Sequence, residues 1–336
     1  MDPDNAALPP ARLGPAALAF HALHDPDAQR LAAEAAAGLQ ARPAHASPKF
    51  FYDALGSRLF DAITELDEYT PTRAEAGIFE RERSAIATAV QARLPQGFSL
   101  YDLGAGDGAK AASFFAALQP RRYVAIDISV DFLRGALAKL QREHPGLPMV
   151  GVGLDFSAAL ALPAALSDGP ALVFYPGSSI GNFAPDAALR LLREARALAA
   201  GGALLIGVDL VKHETAMVAA YDDPLGVTAA FNLNLLRHLN RLLGADFDPR
   251  AWQHVALFNR EQSRIEMHLR ARHALSVRWT AAGGSERPFA AGESIHTENS
   301  YKWRPDDFGA LLHDAGYRAV RRFGVDADGF GVFLAA

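Results

Sequence analysis

The densest chemistry in the sequence lies in Asp102-Leu103-Gly104-Ala105-Gly106-Asp107-Gly108-Ala109-Lys110. Glycines at 104, 106 and 108 let the backbone take positive φ and come close to a ligand. The run from Ala111 to Leu118 behind them reads as a helix, whose first-turn N–H groups have no partner within it. A glycine turn feeding a helix N-terminus is a site for a nucleotide-like ligand. Carboxylates follow at Asp127 and Asp155, the second beside Phe156, so hydroxyl, amino and ring-stacking contacts are within the repertoire of the same region.

The loop fits two templates. Gly104-x-Gly106-x-x-Ala109 matches the dinucleotide fingerprint, with Asp127 where its ribose-binding acid belongs. Asp102-x-Gly104-x-Gly106 matches the loop of S-adenosylmethionine (SAM)-dependent methyltransferases, which also carry an acid at the end of the second strand. A tight strand-to-helix connection with no ligand would need the same glycines.

The elements that position the loop narrow the choice. Strands are expected at Ser99–Leu103, Tyr123–Ile126, Met149–Gly153, Leu172–Tyr175 and Ala203–Asp209, with helices at 109–118, 129–142, 157–167 and 186–199 between them. This alternation calls for a parallel sheet covered by helices, with ligands outside the carboxyl ends of the strands. Gly104, Asp127, Asp155, Gly177 to Asn182 and Asp209 all fall at those ends. The alternation stops after Asp209: 212–244 is helical in pattern and 252–280 strand-like. A helix over Pro305 to Ala315 then leads into two strand-like runs, Arg318–Val325 and Phe330–Ala336, joined by Asp326-Ala327-Asp328-Gly329, a hairpin signal. A parallel sheet ending in an antiparallel hairpin is similar to the class I methyltransferase fold and unlike a dehydrogenase domain.

Before the loop, residues 1–24 read as an Ala/Pro-rich arm, and Asp25-Pro26-Asp27 as a helix start. A further helix is expected from about Ser57 to Glu65. Thr72 with Glu75 reads as a capping box for another running to about Leu94. Composition bounds the rest. The chain has 336 residues, a net charge of −5 and no cysteine. There is no electrostatic case for nucleic acid or an anionic membrane, and neither disulfides nor thiolate metal sites can form. The acidic start lacks a signal peptide's basic region, and no apolar run approaches the ~20 residues that span a bilayer. The expectation is a soluble, cytoplasmic protein.

Longer motifs outside the loop carry more information. They are Phe51-Tyr52-Asp53…Gly56-Ser57, Glu68 to Glu75, Gly177-Ser178-Ser179-Ile180-Gly181-Asn182, Asp209-Leu210-Val211-Lys212, Ala220-Tyr221-Asp222-Asp223, Gly226 to Asn232 and Thr297-Glu298-Asn299-Ser300. In this order they resemble the histidine-specific Nα-methyltransferases of ergothioneine biosynthesis, from Lys49 to the end of the chain. Thr70, where many members have a second Tyr, and the Gly106-Asp107-Gly108-Ala109 run depart from the commoner pattern.

The resemblance implies a seven-stranded Rossmann-like core over 74–210 and 302–336, and an α+β substrate-binding domain built from 1–73 and 211–301. For SAM it implies Gly104, Lys110, Asp127, Asp155 and Phe156. For the amino acid it implies Tyr69 and Tyr221 at the α-carboxylate, Asn182 near the α-amine, and Gly177 and Tyr52 near the substrate, with Asn182 and Tyr52 closest to the chemistry. Met267, Glu298 and Ser300 would form the histidine pocket. A carboxylate at Glu298 is the natural acceptor for an imidazole N–H, whereas an apolar pocket would suit tryptophan. The implied reaction is SAM-dependent trimethylation of L-histidine, through mono- and dimethyl intermediates, by a monomer that uses no metal. The eleven histidines show no metal-ligand spacing such as H-E-x-x-H. An N-methyltransferase of another amino acid such as tryptophan, and a non-catalytic SAM-binding protein, are the alternatives.

Overall fold

The computed structural model describes residues 18–23, 28–167 and 169–336. Its strands in chain order are β1 (Ala19–Ala22), β2 (Ala44–His45), β3 (Ser99–Leu103), β4 (Arg122–Asp127), β5 (Met149–Gly153), β6 (Ala171–Tyr175) and β7 (Ala203–Asp209). They continue with β8 (Trp252–Asn259), β9 (Arg264–Ala271), β10 (Leu275–Trp279), β11 (Ser285–Phe289), β12 (Ser294–Tyr301), β13 (Val320–Phe323) and β14 (Phe330–Ala335).

The main sheet has the order β1-β5-β4-β3-β6-β7-β14-β13. Its neighbours pair in parallel except β14, which runs antiparallel to both β7 and β13. β3, β5, β6, β7 and β14 are buried along their whole length, as strands covered on both faces must be. One face packs Ile126, Val173, Leu192 and Ile206; the other packs Ile78, Leu137 and Phe174. The parallel sheet with its terminal hairpin is as expected from the sequence.

Four details differ. The sheet has an eighth strand, because 18–23, expected as part of an arm, adds β1 beside β5. Gly151 makes room for it: a Cβ there would come within 2.5 Å of the Phe20 ring. The remainder of the arm and the helix start at Asp25-Pro26 lie outside the described residues. The helix expected over 157–167 is absent apart from a short 3-10 turn, Ala164–Leu166. Pro163 lacks an N–H and disfavours helical geometry at Leu162. The 109–118 helix is two short pieces, Ala109–Ala112 and Phe115–Leu118. Finally, the helix Thr70–Arg93 starts at Thr70, with Tyr69 as its N-cap and Pro71 in its first turn, rather than after a cap at Thr72; no side chain caps it, and Glu75 is fully buried instead of closing a capping box.

A second sheet, β2-β12-β9-β8, and the β10-β11 hairpin lie outside the Rossmann order. Their core joins the helices Ala28–Gln40, Ala54–Thr64 and Val227–Leu243 through Leu39, Ile63, Leu235, Leu239, Trp252, Met267 and Ile295. The 1–73 portion of the expected division is therefore split in space, since β1 belongs to the main sheet and β2 to the second.

β12 carries an irregularity that the site depends on. His296 pairs with His268 and Glu298 with Met267, so Thr297 is an extra residue, a β-bulge. A bulge shifts the alternation of faces by one residue. Ile295, Glu298 and Ser300 consequently face inward, while His296 and Asn299, three apart, share the outer face and hydrogen-bond at 2.9 Å.

Candidate active site

The carboxyl ends of the main sheet meet the second lobe at two adjoining cavities. The larger, about 540 Å³, is lined by Gly104, Gly106, Asp127, Asp155, Phe156 and Tyr175 from the core and by Lys49, Tyr52 and Phe60 from the N-terminal segment. The smaller, about 40 Å³, is lined by Tyr69, Gly177, Asp209, Tyr221, Glu298 and Ser300. Tyr52, Phe60, Ser179 and Asn182 line both and so form the wall between them. Another cleft, about 380 Å³ around Trp303 and Arg304, contains none of the residues given a binding or catalytic role from the sequence.

The large cavity is shaped by the glycine loop. Gly104, Gly106 and Gly108 have φ of 69°, 55° and 72°, all left-handed. At Gly108 a Cβ would also meet Leu140 at 2.6 Å and the Tyr123 hydroxyl at 3.0 Å. Asp127 is aimed by two backbone donors: Gly106 N–H to Oδ2 at 3.0 Å and Ser129 N–H to Oδ1 at 2.8 Å. Each carboxylate oxygen keeps a second lone pair for a ligand hydroxyl. Asp155 accepts from Ser157 N at 3.1 Å and lies 3.5 Å from Lys49 Nζ, a residue the sequence reading did not assign. Phe156 packs edge-on to Tyr175 with ring centroids 5.8 Å apart. This combination fits the ribose and adenine ends of SAM: a paired acceptor at Asp127, and an acid beside a ring at 155–156.

Lys110 does not line either cavity. Its Nζ lies 2.5 Å from Glu75 Oε2, and Glu75 Oε1 accepts the Gly177 N–H at 2.8 Å. The buried Glu75 thus ties the glycine loop to the loop after β6, where Gly177 and Ser178 both have positive φ, 79° and 59°. Under the loop, burial raises Asp102 to about 7, offset in part by a 2.7 Å bond from Tyr123.

In the small cavity, Tyr52 and Tyr69 have no hydrogen-bond partner for their hydroxyls among the described residues, nor has Asn182 or Glu298 for its side chain. Burial, reinforced by the neighbouring acids, holds both tyrosines well above the ordinary phenol range, so they are neutral donors. Tyr221 is engaged: its hydroxyl donates to Ser300 Oγ at 2.7 Å and accepts from Lys302 Nζ at 3.0 Å. Met267 sits across from Glu298 on β9 and is buried in the core behind the pocket rather than on its wall.

A chain of buried polar contacts fixes this wall. Thr297 Oγ1 donates to Asn232 Oδ1 at 2.9 Å, Asn232 Nδ2 donates to His254 Nδ1 at 2.8 Å, and His254 Nε2 donates to the Tyr221 carbonyl at 2.8 Å. Burial lowers the His254 pKa and keeps the ring neutral, as this order requires. Asn232 and Thr297 belong to the motifs recognised in the sequence; their work is to hold the bulge and Tyr221 in place.

Burial pushes Glu298 up to about 7, against a partial pull from Lys302. A carboxyl raised from its ordinary 4.5 binds protons more tightly folded than unfolded, so its contribution to stability is complete below about pH 4.5 and lost as pH rises to about 7. At 1.4 kcal/mol per unit the loss is about 3 kcal/mol. Glu298→Gln is therefore expected to raise the melting temperature of the ligand-free protein at pH 8 and to leave it unchanged near pH 4.5. Thermal melts of both proteins across this range check the prediction; a gain of equal size at both ends refutes it.

The histidines are not all scattered in space. Glu266, His268 and His296 meet on the outer face of β9 and β12 with their ligand atoms within 4.8 Å of one another. The cluster is closed by its own contacts: His268 Nε2 lies 3.0 Å from Glu266 Oε2, and Arg264 holds Oε1 at 2.6 Å. Burial alone would raise Glu266, but bonds from Asn259, Arg264 and His268 bring it to about 2.

A family model described as histidine-specific methyltransferase, SAM-dependent, matches residues 31–336. A histidine N-alpha-methyltransferase of Mycolicibacterium smegmatis is 42% identical over 95% of this chain and 98% of its own length. One from Mycobacterium tuberculosis is 42% identical over 89% of this chain and 92% of its own. Ergothioneine biosynthesis protein 1 of Schizosaccharomyces pombe is 25% identical over 81% of this chain, which spans 36% of that longer protein. The chain belongs to the SAM-dependent, histidine-specific methyltransferase family.

Proposed function

We propose that this chain transfers methyl groups from SAM to the α-amine of L-histidine, three times in succession, to give the betaine hercynine in ergothioneine biosynthesis. The observation that carries the reading is Glu298: a buried carboxyl with no hydrogen-bond partner among the described residues, in a small cavity that adjoins the large one across Tyr52 and Asn182. It supplies the acceptor that an imidazole N–H needs.

SAM supplies a methyl group already activated by its sulfonium. The chain's part is orientation and protonation. Asp127, Asp155 and Phe156 hold the nucleoside, and Gly104 allows its close approach. Lys110 acts on the same side through Glu75, by fixing the loop that carries Gly177. Tyr69 offers its free phenolic proton to the α-carboxylate. Tyr221, whose proton goes to Ser300, adds its ring wall and the positive field of Lys302 behind it. Asn182 and Tyr52 stand between the two cavities, where the nucleophile meets the methyl group, and Asn182 accepts from the amine so that its lone pair points across. The α-amine, with an ordinary pKa of about 8, reacts once deprotonated. Burial keeps the Tyr52 and Tyr69 phenols protonated, so neither is available as a base and the proton leaves to solvent. After the third transfer no lone pair remains and the sequence ends.

No helix among the described residues is long and apolar enough to cross a membrane. With a net charge of −5, we read the chain as a cytoplasmic monomer that engages neither nucleic acid nor membrane. The activity is tested by incubating protein, SAM and L-histidine and following the amino acid by mass spectrometry. Mono-, di- and trimethylated histidine are expected in turn. Methylation of tryptophan with histidine untouched would overturn the substrate, and SAM binding without transfer to any amino acid would overturn catalysis.

A further inference from the structure

Lys302 does not border the small cavity, yet it organises one side of it. Its side chain is 1% exposed. Nζ donates to Asp209 Oδ2 at 2.8 Å, to the Tyr221 hydroxyl at 3.0 Å and to Ser300 Oγ at 2.8 Å. An ammonium has three protons and no lone pair, so these three bonds have only one possible direction. Asp209 Oδ1 is held separately by Lys212.

Donor direction then propagates. The Tyr221 oxygen accepts from Lys302, and its own proton goes to Ser300 Oγ, 2.7 Å away. Ser300 therefore receives two hydrogens, which fill both its lone pairs. Its remaining O–H can only donate, and what it faces is the cavity. Two residues earlier on the same inward face stands Glu298, about 6–7 Å along the strand. The wall thus presents one obligate donor and one acceptor. A neutral imidazole matches that pair with one bare nitrogen and one N–H. An indole has the N–H alone and would leave the Ser300 donor buried and unpaired, which costs a factor of about 10 or more. A serine free to rotate would lose this discrimination, because it could turn to accept instead.

We propose that Lys302 is a specificity-setting positioning residue: by filling the lone pairs of Tyr221 and Ser300 it obliges Ser300 to donate to the unprotonated ring nitrogen of the substrate while Glu298 accepts from the other. This rests on histidine being the substrate.

The test compares kcat/KM for L-histidine with the two pyrrolylalanine isomers, each of which keeps one ring N–H and has CH in place of the other nitrogen. Wild-type protein is expected to prefer histidine over the better isomer by about 10-fold or more. In Lys302→Met the preference should shrink to within about 3-fold, with SAM affinity by calorimetry unchanged. A purely structural lysine would lower activity on all substrates alike and leave the ratio intact, which overturns the proposal. Should Lys302→Met fail to fold, Ser300→Ala with Lys302 in place must lose the same preference; an unchanged ratio there overturns it equally. Wild-type protein that methylates no histidine would refute the substrate assignment instead, so the two failures are distinct.

Discussion

Replacing Glu298 by alanine is expected to lower kcat/KM for histidine by about 100-fold while leaving the affinity for SAM within about 2-fold, because a hydrogen bond to a charged partner in a closed site contributes about 1.5–3 kcal/mol and its loss strands the imidazole N–H as well. Glu298 lines only the small cavity and not the large one. Steady-state kinetics with histidine, alongside calorimetric titration of SAM, separates the two effects. Parallel loss of both would mean that Glu298 supports the fold of the site rather than the recognition of a ring. The variant also relieves the cost of burying a carboxylate, so it should unfold no more easily than wild type at pH 8. That combination, a stable protein with a crippled substrate site, distinguishes a recognition residue from a structural one.

Asp127→Ala is expected to abolish useful SAM binding, weakening it by about 100-fold or more, with the histidine pocket untouched. Two backbone donors aim this carboxylate, so it meets a ligand at no further ordering cost. Losing two charge-assisted bonds to ribose hydroxyls at about 1.5–3 kcal/mol each gives that scale. Titration with SAM or its demethylated product measures it directly. Asp127→Asn is the sharper companion: it keeps the shape but not the charge, and an intact affinity in it would show that hydroxyl recognition is not what Asp127 does.

The parts of the molecule readable from the sequence are those governed by local pattern. β3, β5 and β7 fall where hydrophobic runs place them, and Gly104 and Asp127 fall at strand ends because the fold puts them there. The substrate residues came from motifs rather than from spacing. What stayed hidden depends on contacts between distant positions. Lys302 meets Asp209 across 93 residues, and Glu75 meets Gly177 across 102, so neither lysine nor glutamate stands out from its own neighbours. Glu75 even fits a local role, the capping box, that tertiary structure overrides. Phe60 reads as one more apolar residue on a helix, yet its ring lies between Tyr52 and Tyr69, with centroids 5.9 and 6.3 Å away, on the wall shared by both cavities. The outer-face cluster of Glu266, His268 and His296 has no single-strand spacing to betray it, because its members come from two strands.

The extra residue at Thr297 bears on how such enzymes diverge. Its neighbours His296 and Glu298 already pair with consecutive residues of β9, His268 and Met267, so removing Thr297 would leave Glu298 and Ser300 on the inner face. What the deletion would cut is the hydrogen bond from Thr297 to Asn232, and with it the chain through His254 to the Tyr221 carbonyl. A relative without the bulge would keep the same two side chains in the pocket and lose the brace behind Tyr221.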